Sequence, residues 1–150
     1  VTKKTSPTHK PRLCAAGTTL RTQINRSFPY RDKTSDGWIG DKRHAATPSD
    51  HNPDPAGIVR AIDIDADLDD GKETSAYLAE QLRHAAKNGD KRISYIIHNA
   101  KIASSKKGWA WRKYSGVNPH IHHLHVSFTR RGDENGDPFD VPLLQRKAST

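Results

Sequence analysis

The stretch Asn118–Phe128 is the part of the chain best equipped for chemistry, because it holds four of the nine histidines. Read as a strand from His123, it places His123, His125 and Ser127 on one face and Leu124, Val126 and Phe128 on the other, since side chains alternate with period two. Such a strand buries its aliphatic side in a core and holds imidazoles rigidly toward a cleft, which suits a transition metal. A surface cluster of histidines is the plainer alternative. Upstream, Ser49-Asp50-His51-Asn52-Pro53 closes a loop shortly before Asp63, and His51, Asp63 and His125 form a candidate trio. Two neutral imidazoles and a carboxylate are the usual contents of a catalytic zinc site, which keeps its fourth position for water. A metal so held lowers the pKa of a water toward ~7 and polarises a carbonyl, making amide hydrolysis feasible at neutral pH.

These residues need elements to position them. Residues 1–12 mix lysine, proline and hydroxyl side chains without periodicity and read as a flexible basic lead-in. Leu20 and Ile24 stand four apart, predicting a short helix over about Thr18 to Ser27 with Thr18 as N-cap and Pro29 as its stop. Tyr30 to Pro48 reads as loop with an apolar anchor at Trp38-Ile39. Ile58 to Ile64 reads as a strand, with Ile58, Arg60, Ile62 and Ile64 on one face and Val59, Ala61 and Asp63 on the other. Leu78, Leu82, Ala85 and Ala86 follow the helical period over roughly Ser75 to Lys87, and Asn88-Gly89 is a natural stop. Ile93 to His98 reads as a buried strand that turns through Asn99-Ala100 into a second at Lys101-Ile102-Ala103. His98, at that strand's end, is read as structural. The fold expected is α+β: a small antiparallel sheet from the strands near Ile58, Ile93 and His123, with helices packed on one face and a zinc cleft on the other. Residues 13–144 are the expected domain, and 145–150 a frayed tail or linker remnant.

Composition narrows the partners. A chain of 150 residues suits one domain that buries roughly two-thirds of its unfolded surface. The lone Cys14 excludes an internal disulfide and a cysteine-built zinc finger, leaving any metal to histidine and carboxylate. A formal charge of +8 draws the chain to polyanions: nucleic acid, a membrane surface or an anionic cell wall. No stretch approaches the ~20 apolar residues of a membrane span, and the first residues lack the apolar segment of a secretory signal peptide, which leaves a removed signal or a route without one. Trp109, Trp111 and Tyr114 alternate with Lys106, Lys107, Arg112 and Lys113, a pattern fitted to stacking bases or to lining a carbohydrate or peptide cleft. Asp133, Asn135 and Asp137 are spaced loosely as in a calcium loop, but Gly136 falls too early and no glutamate closes it.

Taken together, the pieces resemble the zinc peptidases that group lysostaphin, D-alanyl-D-alanine metallopeptidases and the zinc domain of sonic hedgehog. Ser49-Asp50-His51 resembles their S-x-H, Gly57 and Ala61-Ile62-Asp63-Ile64 the glycine and A-x-D-[IL] that follow, and His123-Leu124-His125 their closing H-x-H. His120 to His125 fits the H-x-x-H-x-H of penicillin-insensitive murein endopeptidases. Gly40-Asp41, His44 and Asn118-Pro119-His120 look like bacteriophage endolysin catalytic domains of this kind. The resemblance implies that His51, Asp63 and His125 bind zinc and that His120 and His123 are a catalytic pair, one taking a proton from the attacking water and the other, as imidazolium, stabilising the oxyanion or protonating the leaving amine. Two departures stand out. Asn52 to Ala56 lengthens the gap between His51 and Asp63, and His122 occupies the place where the carboxypeptidase branch keeps a glutamate. The missing carboxylate points to the histidine-based branch, or to a substitute such as Asp54 or Glu134.

The function expected is a zinc-dependent peptidoglycan peptidase, the catalytic domain of a phage endolysin, made in the host cytoplasm and acting as a monomer on an anionic cell wall. Ser49, His44, Arg43, Trp109, Trp111 and Tyr114 are candidate substrate contacts; Arg60, predicted on the face away from Asp63, is not. The rival class is a basic nucleic-acid protein or metal-dependent nuclease, against which stands the lack of a glycine-rich phosphate cradle or recognition helix. A non-catalytic zinc module is a third reading. His120 beside His123 argues against it, since the pair supplies proton acceptors such a module does not need.

Overall fold

The computed structural model describes residues 10–39, 49–68, 73–116 and 118–145. In chain order these form β1 (Arg12–Leu13), α1 (Ala15–Ser27), β2 (Ile58–Val59), β3 (Ala61–Asp65), α2 (Glu73–Lys87), β4 (Ile93–His98), β5 (Lys101–Ser104), β6 (Arg112–Lys113) and β7 (His123–Phe128). The fold is α+β. Five strands make an antiparallel sheet in the order β3-β7-β4-β5-β6, and β1 pairs in parallel with β2 as a separate two-stranded ribbon. No helix among the described residues is long and apolar enough to cross a membrane.

The two faces of the sheet follow from its register. Cross-strand partners share a face, so Ile62 with Val126, Ile64 with Leu124, and Ile96 with both Val126 and Ala103 make one apolar side. Leu20 and Ile24 of α1 and Leu78, Ala79 and Leu82 of α2 join them in the core, each at most 1% exposed. Burying a side chain of leucine or isoleucine size stabilises by roughly 1.5–3 kcal/mol, and this layer anchors the sheet from behind. On the opposite side, Asp63 faces His125, Asp65 faces His123, and Ala61 and Tyr95 both face Ser127. All the chemistry of the central strands is therefore on the face that the helices leave open.

Several expectations shift. The helix starts at Ala15, three residues before the expected Thr18, because buried Cys14 caps it, its Sγ accepting from Gly17 N at 3.4 Å. The strand expected over Ile58–Ile64 breaks at Arg60, whose N donates to Asp50 O and whose carbonyl accepts from Phe128 N. Consequently Ile58 lies in the β1–β2 ribbon and only Ala61–Asp65 enters the main sheet. Arg12, read as lead-in, is a ribbon strand residue paired with Ile58. The register of β4 slips between Ile93 and Tyr95. Simple alternation would place these two on one face; the slip lets Ile93 enter the core while Tyr95 turns to the histidine side.

One turn matters to the site. Asn99 and Ala100 form the two-residue β4–β5 loop, both with positive φ (53° and 63°), as a type I′ turn demands. An alanine there is strained. The strain is offset by contacts to the loop before β7: Asn99 N donates to His120 O at 3.0 Å and Ala100 N to Pro119 O at 2.7 Å.

Candidate metal centre

Asp63 and His125 come together because they are register partners on the open face of β3 and β7. His125 Nδ1 lies 3.0 Å from Asp63 Oδ1. His51 arrives from a turn outside the sheet, where its N is held by Ser49 Oγ at 3.2 Å, and its Nε2 lies 3.2 Å from both His125 Nδ1 and Asp63 Oδ2. The inserted loop after it is tied down: Asp54 accepts from the backbone N–H of Ala56 and Ile58 and from the Arg60 guanidinium, which also forks onto Asp133. The lengthened gap between His51 and Asp63 thus ends in a braced loop, and Asp54 is engaged there rather than beside the histidines. Glu134, the other carboxylate considered as a substitute base, is exposed in the turn after β7.

The protonation pattern of the two imidazoles can be worked out from their outer partners. His51 Nδ1 is 2.9 Å from the Trp38 carbonyl, which can only accept, so Nδ1 carries the hydrogen and Nε2 offers its lone pair inward. Trp38 is itself fixed by the loop it ends: Gly37 and Asp63 exchange both backbone hydrogen bonds, at 3.1 and 2.7 Å, and Asp36 Oδ1 accepts from Asp65 N at 2.7 Å. On the other side, His125 Nε2 is 2.7 Å from Ser127 Oγ, and Ser127 interacts with the Tyr95 hydroxyl, which reaches the Asp50 carboxylate. A carboxylate at the end of this chain accepts, so donors run toward it and His125 Nε2 carries its hydrogen. In that tautomer, the one a bound ion requires, Nδ1 also points a lone pair inward; without an ion a proton lies between Nδ1 and the acceptor-only Asp63 Oδ1, 3.0 Å away. Burial pushes the Tyr95 hydroxyl up to about 12, keeping it a donor, and its ring stacks on His125 at 5.5 Å.

Two nitrogen lone pairs and a carboxylate thus converge, with separations of 3.0–3.2 Å. A tetrahedral ion bound at ~2.0–2.1 Å has ligand–ligand edges of about 3.3–3.4 Å, so the spacing fits such an ion with little adjustment. These groups, His51, Asp63 and His125, could hold a metal. Electrostatics point the same way. Burial alone would raise Asp63, but hydrogen bonds and charge from His125 and His51 outweigh it and hold the carboxyl well below the usual range. Burial likewise opposes charge on His51, yet the Asp63 carboxylate and the Trp38 carbonyl pull its pKa up. The cluster attracts a cation, and in the metal-free protein a proton serves.

His120 and His123 complete it. Their rings meet edge to face at 4.7 Å, His120 lies 5.3 Å from the His125 ring, and His123 Nε2 is 3.6 Å from Asp63 Oδ1. His120 is held at φ 57°, fastened by Asn118 Oδ1, which accepts from its N at 2.9 Å. It is 8% exposed, and its Nδ1 is buried without a hydrogen-bond partner. Burial, then the neighbouring His125 and His123, lower its pKa to about 4. Burial lowers His123 too, against the pull of Asp63.

The expected substrate contacts divide. Tyr114 lies edge to face on His120 at 5.8 Å, beside the cluster. Trp109 is 8% exposed within the core and Trp111 packs against that core, its Nε1 donating to Glu80 of α2 at 2.8 Å. The Trp109 side chain is packed in the core and that of Trp111 is engaged with Glu80 and Arg83 of α2, so of the three aromatics only Tyr114 has a ring contact with the histidine cluster among the described residues. Ser49 shapes the His51 turn, and His44 and Arg43 lie outside the described residues. His122 is exposed, and His98 points to α2, 3.4 Å from Ser75 Oγ. Sequence reasoning left Trp38, Tyr95 and Asp50 without a role here. Ser127 was legible, two residues from His125 on one strand face, whereas Tyr95 was hidden by the register slip. Compared with protein-family models, curated proteins and solved structures, the chain matches none.

Proposed function

We propose that this chain is a zinc-dependent peptidase that hydrolyses an amide bond in the stem peptide or cross-link of bacterial peptidoglycan, as the catalytic domain of a phage endolysin. One observation carries the reading. Three inward-facing donors at metal-ligand spacing stand directly beside two further buried or half-buried imidazoles that the ligand set does not require. A structural metal site has no use for such a pair, while hydrolysis needs groups that accept and return a proton.

A zinc ion in this set supplies Lewis acidity, lowering the pKa of a water and polarising a carbonyl. Trp38 and Ser127 hold the His51 and His125 rings in the tautomers that direct Nε2 and Nδ1 to the ion. His120, with a buried nitrogen free of protein partners, is the proton acceptor. His123, 3.6 Å from the Asp63 carboxylate, is where a proton is best retained for the leaving amine. Tyr114 walls the His120 side. The charge of +8 favours an anionic wall as the surface on which this happens.

The test is clearance of purified cell walls by the zinc-loaded protein, with mass spectrometry of the released fragments to name the bond, beside a plasmid-nicking assay. Wall clearance with new amine and carboxyl termini on stem peptides is expected. Nicking without clearance would overturn the proposal in favour of a nuclease.

A further inference from the structure

Asp63 belongs to two overlapping groups of potential ligands. Besides His51 and His125, it can be taken with His120 and His123, whose candidate ligand atoms also lie within 4.8 Å of one another. We propose that this second group is a weaker site for a second transition-metal ion, with Asp63 bridging the two, and that its occupation shuts the enzyme down. The inference rests on the proposed peptidase function for its inhibitory part alone; the binding part stands on geometry.

The two carboxylate oxygens are turned to different partners. Oδ2 faces His51 Nε2 at 3.2 Å, while Oδ1 faces His125 Nδ1 at 3.0 Å and His123 Nε2 at 3.6 Å. In two-metal sites the ions stand ~3.5–4 Å apart, and Asp63, whose Oδ1 meets a histidine of each group, is placed to be shared between two such ions. His120 enters the second group nine-tenths buried and with Nδ1 lacking any protein partner. A buried imidazole nitrogen left so is costly, and the backbone that presents the ring is fixed, its N–H donating to Asn118 Oδ1 and its carbonyl accepting from Asn99 N. Two imidazoles and one shared carboxylate select zinc, cobalt, nickel or copper over magnesium or calcium.

Order of filling follows from charge. The first site has the closer donors and both tautomers fixed from outside. The second ion enters beside an existing dication with only one carboxylate between them, so it binds less tightly. Once bound, it occupies the lone pairs with which His120 and His123 would handle protons. Low metal therefore activates and excess metal inhibits.

The experiment titrates the metal-free full chain with Zn²⁺ alone by calorimetry, and with Co²⁺ alone by visible absorption, alongside wall clearance. Two equivalents are expected, the second weaker, with clearance rising through the first and lost through the second. His120→Ala and His123→Ala should each lose the second equivalent and keep the first, and an unchanged circular dichroism spectrum confirms that they fold. His84→Ala, altering an exposed histidine on α2 that pairs with Glu80, should keep both. Saturation of the native chain at one equivalent overturns the inference, as does loss of the second equivalent in His84→Ala. Two equivalents in a protein that clears no wall would instead sink the peptidase reading and leave the second site standing.

Discussion

Replacing Ser127 by alanine tests whether the chain behind His125 prepares the ligand set. Ser127 is fully buried, and its Oγ is 2.7 Å from His125 Nε2. The substitution removes the acceptor of His125 Nε2 together with the donor that Ser127 offers to Tyr95, so His125 Nε2–H is left buried and unpaired, at a cost of about 1–3 kcal/mol. It also frees the ring to adopt the other tautomer, in which Nδ1 carries the hydrogen and cannot ligate. Loss of such an outer partner costs roughly 10–100-fold in metal affinity, or about 1.4–2.7 kcal/mol. Competition with a chromogenic chelator measures the affinity, and thermal melts of the metal-free and metal-loaded forms separate the two effects. The metal-free Tm should fall, and the increment gained on adding metal should shrink. Native-like affinity in Ser127→Ala, within about twofold, would refute the tautomer argument and with it the direction assigned to the Tyr95–Asp50 relay.

Three further outcomes are expected. At one equivalent of zinc, His125→Ala should lose metal and wall clearance together, whereas His123→Ala should keep that equivalent and lose turnover; metal analysis of the two proteins decides it. Leu82→Ala, at a position 0% exposed between α2 and the sheet, should destabilise by about 2–5 kcal/mol in chemical denaturation while leaving metal affinity of the folded protein unchanged. Glu80 is held down to about 2 by hydrogen bonds from Arg83 and then Trp111. Because its folded pKa lies below its unfolded one, its contribution is complete above the ordinary glutamate range and disappears as pH falls through it toward about 2. With 38% of the side chain exposed the effect is small, and Glu80→Gln should flatten that part of the pH–stability curve.

Local pattern was enough for the elements whose signal is periodic. β4 runs over Ile93–His98 and α2 ends at Lys87 as read, because β-branched runs and the spacing of Leu78 and Leu82 report burial directly. The start of α1 was misread because a buried cysteine does the work of Thr18, and cysteine is a weak acceptor that capping preferences do not rank. The packing of the tryptophans was not legible for a related reason: composition shows that an aromatic is present but not which surface it covers, and Trp111 meets Glu80 of α2 across 31 residues of sequence.

For the candidate site, the sequence by itself determined the inventory and part of the geometry. The alternation in His123–Phe128 put His123, His125 and Ser127 on one face, since a strand allows no other placement. Tertiary structure decided which residues that face would meet. Antiparallel register set Asp63 opposite His125 and Tyr95 opposite Ser127, and a one-residue slip in β4 was needed for the latter. The Trp38 carbonyl reached His51 only because the Gly37 segment pairs with β3. Long-range register depends on how whole elements pack rather than on neighbours along the chain. The open stretch of histidines could therefore be recognised in the sequence, but the lone pairs directed inward from His51 and His125 could not.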